Sequence, residues 1–203
     1  MQAFEGILEE LAQLYNRMDQ AYAQAALAHG FVCAGCEDSC CQTRFYHHTL
    51  VEYLHLKKGV SLLAPAEQQR LFQRAARTVE EMGAADGRGP SAMCPLNEAG
   101  RCILYAYRPM ICRLHGIPHQ LRRPDGLRQL GPGCGDFDRQ CGRSTDVFLD
   151  RTPLYAGLAD LERRLRRQRA FEGKIKLSIA QMLIHKIEGN DAAPPAGETH
   201  EIP

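Results

Sequence analysis

The chain has 203 residues, enough for one sizeable core, and its 25 basic residues stand against 24 acidic ones for a formal net charge of +1 with histidine neutral. That balance exerts no overall pull toward nucleic acid or an anionic membrane, and charges interrupt every apolar segment well short of the roughly 20 residues needed to cross a bilayer. The start, Met1-Gln2-Ala3-Phe4-Glu5, has neither a basic run nor a continuous apolar stretch, so the nine cysteines are not read as a secreted disulfide framework, and a reducing, cytoplasmic setting is expected.

Residues 4 to 28 place Phe4, Ile7, Leu8, Leu11, Leu14, Tyr15, Met18 and Tyr22 at helical spacing, with His29 in the last turn and Gly30 just beyond it. A long amphipathic helix is predicted, packed on the same domain or forming a dimer seam through its near-heptad stripe. Thr43 to His47 reads as briefly extended. Thr49-Leu50-Val51-Glu52 is a capping box that starts a short helix ending near Gly59. Pro65 suits the first position of another helix, which carries Leu71, Ala75, Val79 and Met82 on one face before a loop at 83–93. A small hairpin is expected between Ile117 and Leu130. Thr152-Pro153 opens a helix with Leu154, Leu158, Leu161 and Leu165 on one side, Gly173 breaks it, and a last helix runs from Ile175 to Ile187. Asn190 to Pro203 is polar, contains proline, and is expected to be disordered. The fold class is thus mainly α: a single helical domain with irregular, cysteine-rich metal-binding loops and at most a small β-hairpin. It divides into an N-terminal helix (1–30), a cysteine core (31–141), C-terminal helices (142–188) and a tail (189–203).

The chemistry lies in the cysteines. Cys33, Cys36, Cys40 and Cys41 fall within nine residues, and Cys94, Cys102, Cys112, Cys134 and Cys141 follow. Thiolates are soft, strongly donating ligands, and Cys-x-x-Cys lets two of them reach one ion without strain. Each downstream thiol has a stiff or tight neighbour: Pro95 follows Cys94, Gly100 permits a turn before Cys102, and Pro109 suits the first turn of a short helix carrying Cys112. The helix dipole and nearby Arg108 and Arg113 are expected to favour a thiolate at Cys112. Adjacent Cys40 and Cys41 point from successive Cα atoms and are expected to serve different centres, or one of them to serve as a buried neighbour.

Cys33, Cys36, Cys40 and Cys41, followed by Cys94-Pro95, Gly100-x-Cys102 and Tyr107-Arg108-Pro109 with Cys112-Arg113, together resemble the bacterial CxxCxxCC, or YkgJ-like, cysteine-cluster family of zinc- or iron-chelating proteins. The resemblance spans roughly residues 31 to 141. It implies metal chelation by Cys33, Cys36, Cys40, Cys41, Cys94, Cys102, Cys112 and Cys134, with Cys141 in reserve. The spacing departs in one place, since Glu37-Asp38-Ser39 puts three residues where the family pattern has two, so Cys40 and Cys41 both stand for the third position. Some members resemble flagellin lysine N-methylases, which share the cysteine-rich region.

Eight thiols allow two closed zinc sites, one iron–sulfur cluster with spare thiols, or one of each. His47, His48, His115 and His119 are candidates to replace or orient a thiolate, set against a plain role in loop hydrogen bonding. Tyr46, Tyr105 and Tyr107 read as packing. The stretch Arg163 to Lys176 is rich in arginine and reads as a solvated helix face, the alternative being a contact with an anionic partner. No phosphate loop, nucleophile elbow, HExxH helix or dinucleotide fingerprint is present. The leading expectation is a metal-chelating protein holding zinc or an iron–sulfur cluster, with a protein partner engaged through the terminal helices and neither membrane nor nucleic acid involved. The alternatives are an iron–sulfur-dependent enzyme, such as a protein lysine N-methylase or oxidoreductase, and a redox sensor acting through Cys40 and Cys41.

Overall fold

The structure is a computed structural model, and it describes residues 4–33, 40–84, 92–123, 125–143 and 145–187. Cys36, most of the 85–93 loop and the C-terminal tail from 188 onward therefore lie outside the described residues.

Helix α1 spans Glu5–His29 and buries Ile7, Leu8, Leu11, Leu14, Tyr15 and Met18. Its stripe is covered within the chain, against α2 (Leu50–Ser61), α4 (Met110–Leu114) and α6 (Thr152–Arg169). That coverage removes the need for a dimer seam along these residues. The helix stops at Gly30 in the left-handed region, whose N–H reaches back to Leu27 as Phe31 N–H reaches Ala26. Leu50, Val51, Tyr53 and Leu56 make α2 the most deeply buried helix face. Gly59 is required there for contact, since a Cβ would stand 2.4 Å from Cγ of Tyr107.

Pro65 begins α3 (Pro65–Ala84), which packs on the short α7 (Ile179–Ile184) through the face carrying the fully buried Leu71 and Ala75. The last helix is shorter than its apolar pattern suggests. Leu177 instead exchanges two backbone hydrogen bonds with His47, and Ser178 with Gln181 forms a capping box that restarts the helix. Helix α6 begins at Thr152 as read, but ends at left-handed Ala170, three residues before Gly173.

The expected hairpin is present as β3 (His119–Arg122) and β4 (Arg128–Gly131), and β5 (Leu149–Asp150) adds a parallel third strand. A second ribbon, β1 (Asn97–Glu98) with β2 (Arg101–Cys102), turns through Ala99 and Gly100 at φ 50 and 81. Strand content thus exceeds the single hairpin expected. Helix α5 (Gly135–Cys141) was also not foreseen.

The arginine-rich C-terminal stretch is largely spoken for. Arg164 forks onto Glu10, Arg163 pairs with Asp160, Arg166 binds Glu162 and covers Phe171, and Arg169 covers Phe4. Among the described residues no helix is long and apolar enough to cross a membrane.

Two buried histidines make the fold acid-sensitive. Desolvation holds both His47 and His55 down at about 4, aided at His47 by neighbouring His48 and at His55 by Arg113 and Lys58. The Tyr15 and Tyr107 rings flank His55. Above an ordinary pKa of 6.5 each ring is neutral whether the chain is folded or not. As pH falls from there toward 4, the unfolded chain takes up protons that the folded chain refuses. Stability should therefore drop across that window, by about 3 kcal/mol per ring, and level off below it. Urea unfolding followed down the same window should show a flatter slope for His55→Gln than for the parent. An unchanged slope would mean the ring is already protonated in the fold.

Candidate functional site

The cysteine segments meet through the backbone first. Cys94 N–H donates to the Cys41 carbonyl at 2.8 Å, tying together chain positions 53 residues apart. A turn then closes from Asn97 N–H to Cys94, and the β1–β2 register sets Cys102 opposite Asn97. Helix α4 delivers Cys112 from a third direction. Its opening N–H, on Met110, is held at 2.7 Å by the buried carboxylate of Glu52, which also accepts from Thr49 (2.6 Å) and Tyr15 (3.3 Å).

At the centre of these segments the Cys41 thiol lies beside Cys40 and Cys94 and close enough to Cys102 and Cys112 for an ionised sulfur there to raise all four. Five predicted ligands therefore share one neighbourhood. Cys40 and Cys41 lie side by side in it, and the structure does not divide them between two centres. A second, smaller group adjoins the first at Cys40, where the Tyr22 hydroxyl lies by the Cys33 thiol and near Cys134 and Cys40. Gly116 lies beside it at φ +104, a backbone conformation that favours glycine, and a Cβ there would be in ordinary contact with the Tyr22 oxygen and the Cys134 sulfur. Cys134 also caps α5, its sulfur accepting from Phe137 N–H.

Cys33, Cys40, Cys41, Cys94, Cys102, Cys112 and Cys134 all line one cavity of about 800 Å³. Cys141 does not, and its thiol turns away to the His29 carbonyl. Of the four histidines only His115 lines the cavity, edge-on to Phe45. His47 is held in the bridge to Leu177, His48 meets the Ile175 carbonyl at 3.1 Å, and His119 sits on β3 against Gly131. The eight described cysteines form no disulfide with one another, and among the described residues no three Cys, His, Asp or Glu donors converge on one point at metal-ligand geometry.

Electrostatics corrects one expectation. The Cys112 thiol is pushed up to about 12, by burial first and then by Cys102, and Arg108 only partly offsets this. The positive end of α4 cannot help, because the Glu52 carboxylate already occupies it and its charge raises Cys112 further. Cys40 and Cys94 are raised by their hydrogen bonds to Cys41 and by burial, and Cys102 by burial. Left to themselves these groups are protonated. A bound divalent cation inverts that preference, since coordination deprotonates a thiol outright.

Sequence reading passed over Glu52 and Tyr22. Glu52 looked like an ordinary capping-box residue, and its reach to Met110 needs the tertiary fold. Tyr22 looked like one more member of the α1 stripe; its position one turn beyond buried Met18, approaching the cysteine segment, was the available signal. No protein-family model, curated protein or solved structure matches the chain.

Because Glu52 satisfies three donors at once, Glu52→Ala should destabilise the fold by about 2–4 kcal/mol and loosen α4. Chemical denaturation with hydrogen exchange at Met110 and Cys112 checks this. Unchanged stability with full protection at Met110 would remove the carboxylate from its role as holder of that helix.

Proposed function

We propose that this chain is a metal-chelating protein, in which Cys40, Cys41, Cys94, Cys102 and Cys112 take a zinc ion or an iron–sulfur cluster and Cys33, Cys36 and Cys134 complete the donor set. The observation that carries the reading is the neighbourhood of Cys41, where half-buried thiols from three separate segments line one cavity. Donor chemistry fits: soft sulfur ligands suit zinc or iron–sulfur iron, whereas hard cations prefer oxygen. The resemblance to the CxxCxxCC family points the same way. When bound, such a centre would cross-link residues 40–41 to 94–112, and structural zinc in small peptides contributes on the order of 10 kcal/mol to folding.

Size favours a second reading, an enzyme. A cavity of about 800 Å³ falls in the range of small-molecule sites, roughly 300–1,000 Å³, and far exceeds what a closed tetrahedral ion requires.

Anaerobic purification followed by metal analysis and absorption spectroscopy tests the first reading. Stoichiometric zinc in colourless protein, or iron with acid-labile sulfide in brown protein, is the expected result. Cys112→Ser should lose most of the metal, and Cys141→Ser should keep it, because its thiol faces away from the cavity. Protein with neither metal, or a Cys112→Ser variant with full occupancy, would sink the assignment. For the enzyme version, failure of the holo-protein to bind S-adenosylmethionine removes the methylase.

A further inference from the structure

One wall of the cavity is built by two contacts. The His47–Leu177 bridge lays residues 43–46 beside the start of α7, and α7 packs on α3. Phe45, Met82, Leu96, Ile179 and Ala180 give that wall an apolar surface. Arg44 stands among them, half-buried, its Nη2 out of contact with solvent and making no hydrogen bond among the described residues. The other arginines of the cavity are differently placed. Arg113 is bound to Asp19 at 2.6 Å, Arg108 lies on the Tyr105 ring with Asp19 at 3.9 Å, and Arg101 is exposed. Arg44 forms no ion pair among the described residues.

A guanidinium presents a planar fork of donors matched to a carboxylate, and one that lines a low-polarity cavity without an ion pair is a natural counter-charge for an incoming anion. Such a fork set in an apolar wall selects for a molecule with both features. We infer that the cavity binds a small carboxylic acid with an apolar body: the carboxylate on Arg44, the body against Phe45, Met82, Ile179 and Ala180. The site stands apart from the metal reading, since Arg44 and the apolar wall are not among the donors assigned to the metal.

The test uses the full chain as purified, with metal content measured on every sample. Saturation-transfer NMR is titrated with 4-phenylbutyrate, with its neutral amide, and with inorganic phosphate as competitor. The acid should bind about tenfold more tightly than the amide, and phosphate should compete poorly. Arg44→Gln should erase the preference for the acid while leaving amide binding in place. Ile179→Trp, which fills the apolar wall without touching the charge, should weaken acid and amide alike. Equal binding of acid and amide by the parent, a preference that survives Arg44→Gln, or phosphate displacing the acid at equal concentration would each overturn the inference. So would an Arg44→Gln variant that loses metal but still prefers the acid, for then the guanidinium only balances thiolate charge. Metal-free protein that discriminates acid from amide would sustain this inference while sinking the metal reading.

Discussion

The hydrogen bond from Cys94 N–H to the Cys41 carbonyl joins two stretches that no local rule of helix or hairpin would bring together. Everything chemical follows from that junction. It brings the first cysteine segment against the turn that leads into β1, and the β1–β2 ribbon then folds Cys102 back over the same spot. One backbone bond contributes only about 1 kcal/mol. It holds because each partner segment is anchored beyond it, residues 43–47 by the bridge to Leu177 and residues 103–107 by the contact of Tyr107 with Gly59.

Two buried carboxylates perform the remaining positioning, and both do it at helix starts. Glu162 of α6 accepts from Leu50 and Val51 N–H at 2.9 Å each, and so sets the entry of α2. Glu52 of α2 accepts from Met110 and so sets the entry of α4. The two form a relay: α6 orients α2, and α2 orients the helix that carries Cys112. Arg166 neutralises the first carboxylate, while the second rests on neutral donors and is raised by its complete burial. The arrangement has an electrostatic cost at Cys112, because the same carboxylate that fixes α4 opposes a thiolate two residues along it.

Much of the helical frame was readable. The α1 stripe, Thr49 as a cap, Pro65 at the start of α3 and Thr152-Pro153 at the start of α6 are local signals of 3.6-residue periodicity or end chemistry, and tertiary structure leaves them alone. Elements decided by distant partners were not readable. Ile175 to Ile187 has a helical apolar pattern, but pairing with His47 takes Leu177 into a bridge and the Ser178–Gln181 box restarts the helix later. Helix α5 escaped notice because its cap is a cysteine sulfur, outside the usual set of Ser, Thr, Asp and Asn. At the site, the protonation of Cys112 was not readable, because it follows first from burial and from the approach of Cys102, both of which need the tertiary fold.

The balance of charge around the thiols bears on what the site can be. Asp19 already engages both Arg108 and Arg113, so the cations beside Cys40, Cys102 and Cys112 bring little free positive charge to the cavity. Each thiol that ionised would then raise the next, as Cys41 and Cys102 already do for their neighbours. A buried cluster of this kind has two stable conditions: every thiol protonated and hydrogen-bonded to another, or several thiols ionised together around a cation supplied from outside. Intermediate states, with one or two thiolates and no ion, are disfavoured by desolvation and mutual repulsion. On the proposed reading, metal uptake is therefore an all-or-none exchange of several protons for one centre, and affinity should rise steeply with pH for that reason alone.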